Sequence, residues 1–283
     1  MQDNDMLLET PFLVDHANQP RDPGKPSEDY VLVTPRLLGV FDSVGGRDNG
    51  RLVSHLAGET ISAFWGALPE AERKAPPEQI EHILQTAIQQ ADTAIASLDI
   101  PPEQRRPATT LALCVLSFYQ SHAYASVAHV GDSRAYLARL GQPLRRLTID
   151  HGYFRFAVRR KLLTEEDARR IEQEEHSENL SQEDQAHFGR RHQITCAVGW
   201  SDFPVVPASS HLLLPGDQLI LCTDGLHDNL ADREIEALVQ TPSQAAALQL
   251  VSTASQRSQQ THVRAKRDDI SAIVAWYPSA LLC

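Results

Sequence analysis

Apolar residues follow two rhythms along this chain. Dense short runs bounded by turn residues predict strands, and longer stretches with apolar positions every third or fourth residue predict helices. Residues 30–33 and 37–41, split by Thr34-Pro35-Arg36, read as a β-hairpin, and Asp42-Ser43-Val44-Gly45-Gly46 follows as a turn. Residues 51–68 carry Leu52, Leu56, Ile61, Phe64 and Trp65, and residues 79–98 carry Ile80, Ile83, Leu84, Ala87, Ile88, Ala91 and Ile95. Both predict amphipathic helices whose stripes face a core. Strands are expected over 110–119, 123–129 and 133–140, with a short addition at 144–147. Residues 155–174 are charged and helix-prone and 175–191 are mostly polar, so 152–192 reads as an insert, the least core-like and most mobile part. Strands resume at 211–214 and 218–222, helices follow at 232–239 and 243–255, and the last strand is 270–276. Residues 1–27, polar and carrying Pro20, Pro23, Gly24 and Pro26, read as a lead-in loop.

Helices that come in adjacent pairs between hairpin-linked strands indicate an α+β fold with antiparallel sheets, not the alternating β-α-β of a parallel sheet. The expected architecture is a four-layer α-β-β-α sandwich: two antiparallel sheets packed together, a helix pair on each outer face, and a flap-like insert. The length of 283 residues suits one large domain or two smaller ones, and a single domain over 1–283 is expected. Hydrophobic residues at 42% and charged residues at 22% exclude a disordered or collagen-like chain. A formal charge of −11 argues against binding nucleic acid or an anionic membrane. No apolar stretch reaches the ~18 residues of a membrane span. Met1–Glu9 has three acids and no base, unlike a secretory signal, so a cytoplasmic protein is expected. Cys114, Cys196, Cys222 and Cys283 form no C-x-x-C pair, and the first three sit in apolar surroundings as reduced core residues.

The candidate chemistry lies in acids at the mouths of apolar strands. Asp42 follows Leu37–Phe41, Asp132 follows Val127–Gly131, Asp224 follows Leu219–Thr223, and Asp268-Asp269 precede Ile270–Val274. Glu28 and Asp29 precede the first strand of the hairpin. Singly, each is an ordinary turn residue. Together, on one edge of a sandwich, they would crowd like charges that cannot all stay ionised without compensation. Oxygen-only donors favour Mg²⁺ or Mn²⁺, and no H-E-x-x-H or cysteine spacing competes for zinc.

The order of Ser27-Glu28-Asp29, Val40-Phe41-Asp42-Ser43-Val44-Gly45-Gly46, Ala108-Thr109-Thr110-Leu111, Gly131-Asp132-Ser133-Arg134-Ala135-Tyr136, Leu147-Thr148-Ile149-Asp150-His151, Ile194–Gly199, Pro215-Gly216-Asp217, Cys222-Thr223-Asp224-Gly225-Leu226 and Arg267-Asp268-Asp269-Ile270-Ser271 resembles the metal-dependent protein phosphatase family. These are the PPM, type-2C serine/threonine phosphatases, and the likeness is to bacterial members. It runs from about Ser27 to Trp276. It implies hydrolysis of phosphoserine and phosphothreonine by a metal-activated water at a binuclear Mg²⁺ or Mn²⁺ centre, with a weaker third ion in bacterial members. Asp42 would bridge two ions with the Ser43 carbonyl on one of them. Asp224 and Asp268 would hold metal directly, Glu28 and Asp29 would act through water, and Asp132 would serve the third ion. The implied partners are a phosphorylated protein substrate and an opposing Ser/Thr kinase. The flap of the family corresponds to 152–192, with Asp167, Glu174, Glu175 and Asp184 as candidate metal-contacting acids.

The chain departs from the family pattern at several places. Ser43 stands where a glycine is usual, and a glycine-only backbone angle there would strain serine. Val44 stands where some members carry a histidine. Asp269 replaces an asparagine and adds negative charge beside the cations. Gly24 stands where an arginine for the substrate phosphate is common, leaving Lys25 or Arg21 to serve. These departures motivate the alternative of a non-catalytic phosphatase-like module that binds a regulatory partner, and a small-molecule phosphohydrolase on the same metals is a third reading. His129, His151, Trp65 and Trp276 are expected to be structural, and Arg134 to pair with nearby acids.

Overall fold

The computed structural model describes residues 11–44, 50–101, 106–200, 205–240 and 243–278. Met1–Glu9, the Gly45-Gly46 end of the expected turn and Cys283 lie outside the described residues. In chain order the elements are β1 (Leu13–Gln19), β2 (Tyr30–Val33), β3 (Leu37–Val44), α1 (Gly50–Ala67), α2 (Glu70–Arg73), α3 (Pro77–Ala96), β4 (Ala108–Tyr119), β5 (His122–Val130), β6 (Arg134–Ala138) and β7 (Arg145–Arg146). They continue with α4 (Tyr153–Arg159), α5 (Glu165–Glu172), a 3₁₀ turn (Ser177–Asn179), α6 (Gln182–Phe188), β8 (Ala208–Leu213), β9 (Gln218–Cys222), α7 (Asp224–His227), α8 (Asp232–Val239), α9 (Ala246–Ser258) and β10 (Ile270–Trp276).

Two five-stranded sheets form, ordered β2-β3-β4-β5-β8 and β1-β10-β9-β6-β7. Every strand pairing is antiparallel. Alternation along the central strands divides their side chains between layers. On β4, Ala112, Cys114 and Leu116 join Leu38 and Val40 of β3 and Leu219, Leu221, Ile273 and Ala275 in the core between the sheets. On its other face Leu111, Leu113 and Val115 pack with Ile61 and Trp65 of α1 and Ile80, Leu84 and Ile88 of α3. Ile220, Cys222, Ala272 and Val274 face Ile235, Val239, Leu250 and Val251 of α8 and α9. This is the α-β-β-α sandwich that the periodicity predicts. Cys114 and Cys222 are buried free thiols. Burial holds the thiols of Cys114 and Cys222 far above the usual range.

One expectation needs correction. The lead-in is not all loop: β1 pairs with β10 along its whole length, from Leu13↔Trp276 to Gln19↔Ile270. A backbone ladder holds this edge strand, so its mixed sequence LVDHANQ gives little apolar signal. The insert, expected as the least core-like part, has a small cluster of its own. It folds as α4, α5 and α6 around Ile171, Leu180 and Phe188, with Phe154, Leu163 and Val263 packed alongside. Its attachment is polar: buried Arg134 donates to both Asp150 (2.6 Å) and Glu172 (2.6 Å), and Arg264 donates to the carbonyls of Glu172 (2.7 Å) and His227 (2.6 Å). No helix among the described residues is long and apolar enough to cross a membrane.

Candidate metal centre

Antiparallel pairing brings the strand-end acids to one edge. β3 and β5 each run antiparallel to β4, so their C-terminal ends, before Asp132 and at Asp42, fall on the same side. β9 and β10 are antiparallel, so the end of β9 before Asp224 lies beside the start of β10 after Asp268-Asp269. Two glycines permit the tight approach. A Cβ on Gly225 would lie 2.0 Å from the Asp269 carbonyl oxygen, and Gly131 turns with φ +89° against Thr110.

Burial raises the carboxyl of Asp42 well above the ordinary range, and the nearby charges of Asp224, Asp29, Asp268 and Asp132 raise it further. Asp132 is raised well above the ordinary range by burial and by Asp224 and Asp150. Burial lifts Asp224 to about 6 against the pull of Lys266. Asp29 is lifted to about 8 by burial, although Ser271 (2.7 Å) and Thr223 (2.9 Å) both donate to its Oδ2. Asp29 Oδ1 and Asp224 Oδ1 are buried without a hydrogen-bond partner among the described residues. Left unmade, such bonds are costly.

Around this group the chain is held by short polar contacts. Ser43 donates from Oγ to Glu28 Oε2 (2.9 Å), and Thr109 Oγ1 donates to the Asp42 carbonyl (2.8 Å). Ser43 is not among the non-glycine residues with positive φ, so the serine carries no backbone strain at this position. Its hydroxyl instead fixes Glu28. Asp269 also has a different task from the one expected: its two oxygens accept from the backbone N–H of Arg21 (2.6 Å) and of Glu28 (2.7 Å), clamping the lead-in beside the acids. Lys25 is exposed and pairs with Asp22 (3.4 Å), and Arg21 pairs with the same carboxylate (3.8 Å). The four flap acids are engaged elsewhere. Asp167 caps α5 at Thr164, Asp184 caps α6 at Ser181, Glu174 accepts from the N–H of Glu175 and His176, and Glu175 pairs with Arg233.

The structure adds residues that the sequence reading passed over. Asp228, buried, follows Asp224 by four positions, and that i,i+4 spacing on one helical turn was the available signal. Lys266 reaches Asp224, Asp228 (2.9 Å) and Asp268 (3.0 Å). Burial opposes its charge, but these three acids hold the ammonium well above an ordinary lysine. His227 contacts the Asp132 carbonyl through Nε2 (3.0 Å), and burial lowers it to about 3, so the ring is neutral. His129 and His151 stack at 5.0 Å, as structural residues. Among the described residues, no three His, Cys, Asp or Glu side chains surround a common point as they stand. The donors nonetheless suit a hard divalent ion: all are oxygens, several are buried, and Asp29 Oδ1 and Asp224 Oδ1 have no hydrogen-bond partner among the described residues.

Residues 24–157 match the family model for Protein phosphatase 2C. Over these residues the chain is similar to the type-2C protein phosphatases. It is 28% identical over 218 residues to the serine/threonine protein phosphatase PstP of Mycobacterium tuberculosis, covering 76% of this chain but 36% of PstP. The chain thus spans about a third of the length of that relative. Among solved structures it resembles the PstP catalytic domain in complex with two manganese ions, with TM-score 0.70, 22% identity and coverage of 95% of this chain and 99% of that one. It also resembles the serine/threonine phosphatase Stp1 of Staphylococcus aureus, with TM-score 0.74, 21% identity and coverage of 99% and 100%. At these identities the likenesses establish the type-2C phosphatase fold over nearly the whole chain.

Proposed function

We propose that this chain is a metal-dependent protein phosphatase that hydrolyses phosphoserine and phosphothreonine, with one phosphatase domain spanning it. The meeting of Asp42, Asp224 and Asp268 at one sandwich edge, with buried carboxylate oxygens left unpartnered, carries the reading. Asp42, the Ser43 carbonyl, Asp224 and Asp268 would hold two Mn²⁺ or Mg²⁺ ions, and Asp132 would help hold a third. When bound, such ions lower the pKa of water and offset charge on the phosphoryl oxygens. The chain's own part is positional. Thr223 and Ser271 fix Asp29, Ser43 fixes Glu28, and Asp269 ties the lead-in that carries both acids. Lys25 would meet the substrate phosphate only by leaving Asp22.

The natural substrate on this reading is a phosphoprotein, opposed by a Ser/Thr kinase in the cytoplasm. The likeness to catalytically named relatives supports an enzyme over a partner-binding module. The test is release of phosphate from a phosphothreonine peptide, with and without Mn²⁺, beside Asp42→Asn and Asp224→Asn. We expect turnover that EDTA removes and that both substitutions abolish. Metal-independent turnover, or full activity in both variants, would overturn the reading.

A further inference from the structure

Lys266 stands two residues before Asp268, in the segment that leads into β10. Its ammonium donates to Asp224 Oδ2 and lies 2.9 Å from Asp228 Oδ2 and 3.0 Å from Asp268 Oδ2. The backbone beneath it is clasped. Lys266 N–H donates to Asn229 Oδ1 (3.0 Å), and Asn229 Nδ2 donates back to the Lys266 carbonyl (2.9 Å) and to the Gly225 carbonyl (2.8 Å). Asn229 is fully buried just after α7, so the lysine is anchored to the segment that carries Asp224 and Asp228.

The carboxylate of Asp268 sharpens the consequence. Its Oδ1 accepts from the Asp269 N–H (3.0 Å), and its Oδ2 faces Lys266. An ion bound at Asp268 Oδ2 and an ammonium at the same atom would repel strongly in this half-buried setting. Building on the assignment of Asp224 and Asp268 as metal ligands, we infer that Lys266 is a tethered cation that competes with a divalent ion for this carboxylate pair. Without metal, the ammonium compensates Asp224, Asp228 and Asp268. To bind, the ion has to displace it. Lys266 thereby weakens ion affinity and makes occupancy depend on the divalent concentration.

Mn²⁺ titration by calorimetry of the wild type and Lys266→Met tests this. The variant should bind one Mn²⁺ about tenfold tighter or more. Its metal-free form should melt below the wild type, because three acids lose their counter-charge. Equal Mn²⁺ affinity in the two proteins overturns the competition. If neither protein binds Mn²⁺, the metal-centre reading itself falls, and this inference with it. A measurement on the wild type covers a variant that fails to fold. Amine labelling of Lys266, mapped by mass spectrometry, should rise when Mn²⁺ is added. Unchanged or reduced labelling overturns the inference.

Discussion

Two groups of buried carboxylates lie on either side of the short stretch Asp132-Ser133-Arg134, and they are treated in opposite ways. Asp150 and Glu172 share Arg134 and Arg146, with Arg134 donating to each at 2.6 Å. Burial alone would raise both carboxyls, yet the two arginines pull both below the ordinary range. Across the turn, Asp29, Asp42, Asp132 and Asp224 are all raised, and among the described residues Lys266 is the cation that pulls against the shift, at Asp132 and Asp224. The first group is complete as folded and ties the insert to the sheet. The second is short of positive charge among the described residues. Burial of acids therefore does not mark a functional site by itself. A deficit of counter-charge among the described residues is the better marker.

The largest expected effect separates the two groups by activity. Asp42→Asn should lower phosphatase turnover about a hundredfold or more, in a phosphopeptide assay with saturating Mn²⁺. Arg134→Met should instead act on stability. It leaves buried Asp150 and Glu172 with Arg146 as their remaining partner, at a cost of about 3 kcal/mol in denaturant unfolding. A still sharper contrast uses one kind of substitution in both places. In metal-free protein, Asp42→Asn removes crowded charge and should raise Tm by about 2–4 °C, whereas Asp150→Asn should lower it.

The pH dependence of melting should divide in the same way. Asp224 at about 6 and Asp29 at about 8 bind their protons more tightly folded than unfolded. Their contribution is full below the ordinary carboxylate range and is lost as pH rises through those values. His151 at about 4 and His227 at about 3 behave oppositely, both lowered first by burial. Their contribution is present above the ordinary histidine value and is lost as pH falls through theirs. Metal-free protein should therefore melt highest at mildly acidic pH and decline on both sides. Excess Mn²⁺ should remove the alkaline decline and leave the acid one, as read by scanning fluorimetry. The smallest effect expected is that of Asp269→Ala, which frees two backbone N–H groups of the lead-in at a cost of about 1–2 kcal/mol.

What was legible in the sequence follows the same physics. β9 and β10 fall where the apolar runs place them, because both faces are buried and every residue reports on packing. β1 gives little strand signal because main-chain bonds to β10 hold it at a sheet edge. α6 buries only Phe188, and its marker was the capping box of Ser181 and Asp184 rather than periodicity. The strand-end acids stood out because each adjoins a strong apolar strand. Lys266, Asn229 and Asp228 did not, since their meeting depends on how the turn after β9 packs against the entry to β10. The task of Asp269 was likewise hidden: its partners, Arg21 and Glu28, lie more than 240 residues away along the chain.

A crystal soaked in Mn²⁺ and measured at the manganese absorption edge tests the central claim most directly. The account predicts anomalous peaks against Asp42, with one of them shared with Asp224 and Asp268. Peaks confined to other surfaces, or none at this edge of the sandwich, would contradict it.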